Sequence, residues 1–168
     1  MMSDDITPRL ALPLLQPGQA QKETTHNEAL ALLDLAVQAS VLAVGTDAPP
    51  ANPVAGNAWI VGAAPTGGWA GQARAIAGWT SSGWRFVAPR DGMAVWSVAD
   101  GQVARFGAGV WTTGVLAGSR VSIGGVDVVG PRQPAIPDPV GGTVVDTQAR
   151  AAIIAILSCL RGHGLIGA

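Results

Sequence analysis

The sequence has no tyrosine, only two phenylalanines and a single cysteine in 168 residues. One thiol excludes an internal disulfide and a cysteine metal cluster, and Cys159 lies among apolar neighbours, so a buried structural thiol is expected. Charge is scarce too: Asp, Glu, Lys and Arg make up 12%, about half the usual share. Lys22 is the only lysine, the nine arginines are scattered singly, and the net charge is −1. Without a basic stripe, nucleic acid is not expected as a partner. No apolar run approaches the roughly 20 residues a membrane span needs, so membrane insertion is not expected. The opening MMSDDITPRLALPLLQPGQ lacks a basic stretch followed by a long apolar core, so no signal peptide is expected and synthesis in the cytoplasm is.

What is abundant is glycine, with 23 residues, and proline, with 12. Much of the chain must therefore be turns, and its apolar share leans on Ala and Val, which gives a thin core. The fold class expected is α+β, mainly β, in three parts. Residues 1–46 form an arm and a helix. Leu10 to Leu15, interrupted by Pro13, is expected to be extended. Gln19 to Val44 carries no Gly or Pro and reads as one helix, with Leu30, Leu33, Val37, Val41 and Val44 at helical spacing. Residues 47–130 form a Gly/Trp-rich antiparallel β meander. Its strands are expected at Ala58–Val61, Ala73–Trp79, Trp84–Ala88, Met93–Val98, Val103–Phe106 and Val110–Thr113. Thr80 to Gly83 makes a turn, Asp100-Gly101 reads as a type I′ turn, and a last hairpin turns at Gly124-Gly125. Residues 131–168 form a proline-rich strap and a helix from Thr147 to Arg161, N-capped by Asp146 and ended by Gly162. Ile153, Leu157 and Leu160 keep a four-three spacing on that helix, which is too short to stand alone and must dock or bundle with its copies.

Six tryptophans stand out. Trp69, Trp84 and Trp111 each follow a Gly-containing turn, and Trp79 and Trp84 flank the Thr80–Gly83 turn, where they can meet across a hairpin. The rings are either the core of a thin sheet or, in part, exposed platforms that stack on sugars beside polar groups such as Arg74, Arg85, Asp91 and Asp100. The glycan-contact candidates are Trp69, Trp79, Trp84, Arg85, Trp96 and Trp111. Catalytic chemistry has little support. His26 and His163 lie in different parts of the chain, Ser81 and Ser82 have no G-x-S-x-G context, and His26 lacks the second histidine of a zinc pair. No catalytic residue, metal ligand or cofactor is expected. The front of the first helix is rich in uncharged hydrogen-bonding groups, which suit a packed polar contact. Gln19, Lys22, His26 and Asn27 are therefore docking candidates. Leu30, Leu33, Val37, Ile153, Leu157 and Leu160 are candidates for a homo-oligomer contact, a trimer being favoured.

The segment LALPLLQPGQAQKETTHNEALALLDLAVQ, Leu10 to Gln38, resembles the opening signature of an uncharacterised phage-derived family widespread in alphaproteobacteria. Gly56-Asn57-Ala58-Trp59, TGGWAG (Thr66–Gly71), GWRFVAPRDGM (Gly83–Met93), Gly109-Val110-Trp111 and the ending SRVSIGGVDVVGPRQPAIPDP with a helix closing in GHGLI extend the resemblance over nearly the whole chain. The family is a domain of unknown function. Similar proteins in prophages and gene transfer agents are tail-fibre or head-spike components, which implies a non-enzymatic structural role in a virion-like particle, contacts with other particle proteins, and host attachment through surface polysaccharide. A carbohydrate-binding module standing alone, and less readily a surface-glycan hydrolase, remain the alternatives.

Overall fold

The computed structural model describes residues 5–16, 18, 22–141 and 146–167. The chain divides into two compact units, Met1–Val115 and Leu116–Ala168. The last hairpin thus belongs with the strap and C-terminal helix, and the boundary falls near 115 rather than at 130.

The first unit opens with an arm folded back on itself: the chain around Pro13 is extended, as expected, and bridges Ile6, but Ala11, with φ 53°, turns it back. Helix α1 spans Lys22–Ala36 and ends well short of Val44. Its stop comes from outside the helix. The Arg9 guanidinium donates to the carbonyls of Asp34, Leu35, Val37 and Gln38, the last acceptors that no helical N–H can reach. Gln38 then takes φ 44° and the chain leaves the helix axis. The residues beyond it become two short strands, β1 (Ser40–Val41) and β2 (Val44–Thr46).

Those two strands seed two sheets of the same plan, in place of a single antiparallel meander. The first sheet is β2-β3-β4-β5, with β3 at Ala58–Val61, β4 at Ile76–Thr80 and β5 at Gly83–Val87. The second is β1-β6-β7-β8, with β6 at Ala94–Ser97, β7 at Gln102–Gly107 and β8 at Val110–Thr113. In each, a short strand pairs in parallel with the first of three consecutive antiparallel strands. Leu35, Val41, Ile60, Ile76, Val95 and Ala104, drawn from α1 and both sheets, form the shared core. Leu35 seats α1 on the first sheet, over Gly78: a Cβ there would lie 2.6 Å from its Cδ1. A second cluster covers the other face of that sheet. A 3-10 turn at Gly67–Trp69 drops Trp69 onto Trp59, Val61 and Ala77. The β6–β7 connection is not type I′: Gly101 N–H bonds Ser97 O, and only Gly101 of the Asp100-Gly101 pair has positive φ.

The second unit contains the hairpin of β9 (Val121–Ile123) and β10 (Val126–Val129). Gly124 and Gly125 both have positive φ, 58° and 82°, as a two-residue type I′ turn requires. Helix α2 spans Thr147–Gly162, and the Asp146 carboxylate accepts from Ala149 N. Arg150 and Arg161 hold the strap to it, donating to the carbonyls of Pro139, Gly141 and Ile136 and to Asp138. Among the described residues this unit buries only Leu157 and Ile166 of its hydrophobic side chains. Cys159 is exposed, not buried: two positions on from the buried Leu157, it lies on the opposite side of α2.

Candidate functional site

The six glycan-contact candidates fall in three places. Trp69 is fully buried, so no face of it is available to a sugar. Trp84 stands edge-on to Trp59, Trp69 and Trp79 at centroid distances of 5.6, 5.1 and 4.9 Å, and the Trp79–Trp84 pair is the cross-strand pair that the turn spacing predicts. Arg85, beside them on β5, is already paired, its Nε 2.7 Å from Glu28 Oε2 on α1. Trp111 is half-buried against Phe106, and its indole N–H donates to Arg74 O. These rings hold the body together.

Trp96 differs. On β6 the side chains alternate, Val95 and Ser97 facing the core and Ala94 and Trp96 facing out. Trp96 is 47% exposed. The register sets Val103 directly across from it and Arg105 across from Ala94, with Thr112 next to Arg105 on β8. Val103, Arg105 and Thr112 are all exposed. On the other flank Ser40 pairs with Trp96, on the outward row because Val41 is buried. Neighbouring strands are ~5 Å apart, so an indole face, a guanidinium and two hydroxyls lie within about three strand spacings. An aromatic face suits the C–H surface of a pyranose, while the guanidinium can take carboxylate or hydroxyl oxygens.

The docking candidates near the N-terminus also divide. Gln19 lies outside the described residues. Lys22 and His26 are exposed on the first turns of α1. Asn27 is committed within the chain: its amide accepts from Leu15 N at 2.9 Å and donates to Leu15 O at 3.0 Å, pinning the arm. Leu30 is half-buried, and Leu33 and Val37 are exposed, because α1 packs through Ala31, Asp34 and Leu35 instead. Asp34 is the residue that sequence reasoning passed over. It is buried, and it accepts from Thr7 Oγ1 at 2.7 Å, Leu10 N at 2.6 Å and Arg9 N at 3.2 Å. A lone acid inside LALLDLA was the available signal, since a carboxylate on an apolar stripe requires partners. Between arm, α1 and the β4–β5 turn lies a groove of about 450 Å3, whose lining includes Thr24, Glu28, Ser81, Ser82 and Arg85.

On α2, Ile153 is exposed, Leu157 buried and Leu160 half-buried, so the three do not share one environment. Among the described residues no group of three or more His, Cys, Asp and Glu is placed to hold a metal ion, and no helix is long and apolar enough to cross a membrane. The model of a family described as "Protein of unknown function (DUF2793)" matches residues 26–112, just over half the chain, which takes in all but the first turn of α1 and the strands of both sheets nearly to the end of β8. No curated protein matches the sequence.

Proposed function

The chain belongs to the DUF2793 family, and on that premise we propose that it is a non-enzymatic structural component of a phage-like or gene-transfer particle, binding host surface polysaccharide through the open face of the second sheet. The observation that carries the reading is Trp96. Folding places a large ring outward only at a cost in exposed apolar area, and this one lies on a flat sheet face beside Arg105, Thr112 and Ser40. The resemblance of Leu10–Gln38 and the later motifs to particle proteins supplies the context.

The test is binding of the purified protein to immobilised bacterial capsular and lipopolysaccharide glycans. Trp96→Ala is expected to lower binding at least tenfold, with Arg105→Ala giving a smaller loss. Binding that survives both substitutions overturns the assignment of this face. Release of new reducing ends from the bound polysaccharide would replace the non-enzymatic reading with that of a hydrolase.

A further inference from the structure

The apolar sector of helix α2 is covered only in part among the described residues. Leu157, 6% exposed, lies on the side where Arg150 and Arg161 tie down the strap. Ile153, one turn before Leu157, is 45% exposed, and Ile156, about 100° round the helix from Leu157, is 59% exposed. With Ala149 and Leu160 they make a stripe at four-three-four spacing, the d-a-d-a order of a heptad seam. Hairpin β9–β10 has the same imbalance. Ile123 pairs with Val126 on one face, 66% and 65% exposed, while Ser122 pairs with Asp127 on the other, where Asp127 meets Arg120. A lone two-stranded hairpin is marginal in water, and this unit buries too few aliphatic side chains to support it.

We infer that the Ile153–Ile156 seam of α2 packs against the same seam of two further copies of this chain, with the apolar face of β9–β10 adding to the contact. Three considerations select a second copy as the occupant. The seam carries no charge and no hydrogen-bonding side chain, so it meets itself without a mismatch. Isoleucine at successive a and d positions, and leucine at a with isoleucine at d, favour three or four strands over two. The area also fits. The exposed parts of Ile153 and Ile156 on the seam and of Val121, Ile123, Val126 and Val129 on the hairpin, at ~100 Å2 for each full side chain, come to about 300 Å2. That is over half of the apolar share of one partner's ~800 Å2 in a standard interface. This contact is independent of the polysaccharide reading: either can fail without the other.

Light scattering on the size-separated full chain at about 20 μM tests it. The expected mass is about three times the 16.9 kDa of one chain, and Ile153→Glu with Ile156→Glu should return it to one. All six tryptophans lie in the first unit, so unchanged tryptophan emission shows that the variant has not unfolded there. The milder pair Ile153→Ala and Ile156→Ala should raise the dissociation midpoint at least tenfold. A parent that stays monomeric, its seam covered by its own chain or by water, overturns the proposal, as does a double-Glu variant that keeps the parent's mass.

Discussion

The two four-stranded sheets of the first unit are built to one plan and buried to different degrees. Every residue of β3 is buried, whereas β6 alternates strictly between exposed and buried. The difference follows from what lies beyond each sheet. The far face of the first is closed by Trp59, Trp69 and Trp84, with the Gly67–Trp69 turn folded over it. Among the described residues the far face of the second has no such cover, and the Trp96, Val103 and Arg105 that it carries are exposed. A strand covered on both faces reads as a continuous apolar run, as Ala-Trp-Ile-Val does; a strand covered on one reads as an alternation. The same residue type therefore has opposite meanings in the two sheets, a structural wedge in one and an uncompensated surface ring in the other.

The sharpest way to break this comparison is to remove the wedge. Trp69→Ala should cost about 3–5 kcal/mol, a large share of the ~5–15 kcal/mol by which a folded protein is stable. Urea denaturation measures it. A loss under about 1 kcal/mol would mean that the turn closes the sheet without its ring.

Next in size is the buried acid that joins arm to helix. Asp34→Ala leaves the Thr7 hydroxyl and the Arg9 and Leu10 amides without their acceptor. A destabilisation of about 2–3 kcal/mol is expected, with new protease cleavage within residues 5–15. Cleavage patterns identical to the parent's would show that Asn27 and the Arg9 cap hold the arm unaided.

Gly78→Ala should come third, at about 1–2 kcal/mol, because its Cβ meets both terminal methyls of Leu35. Adding Leu35→Ala should recover part of that loss, since the two residues share one site. Strictly additive losses in the double variant would contradict the seating of α1 on β4.

The parts of this fold written in local signals were readable in the sequence. Strands Ala58–Val61 and Val110–Thr113, the Asp146 cap and the span of α2 all rest on short-range patterns. The stretch from Val37 to Thr46 was not, because its apolar spacing fits a helix as well as it fits two strands. Arg9, far back in the chain, and parallel partners far ahead decide between them. The candidate site was half legible for the same reason. Tryptophan spacing located the hairpins, but whether a ring is core or surface depends on which face a distant segment covers. Nothing within β6 says that no turn closes over Trp96.

The smallest effect on stability is expected at Trp96, and that smallness is what would separate the two sheets. Its ring is half exposed and faces away from the shared core, so Trp96→Ala should change stability by no more than about 0.5 kcal/mol. It should nonetheless change the light that the protein emits. Trp59 and Trp69 are buried and Trp79, Trp84 and Trp111 are half-buried, which leaves Trp96 as the ring most open to a dissolved quencher. Acrylamide should therefore quench one accessible fraction of the parent's emission, and the variant should lack that fraction. If the variant loses several kcal/mol instead, the outward face of the second sheet is a packed surface in solution. The asymmetry between the sheets then disappears, and with it the reason to treat Trp96 as a contact rather than a wedge.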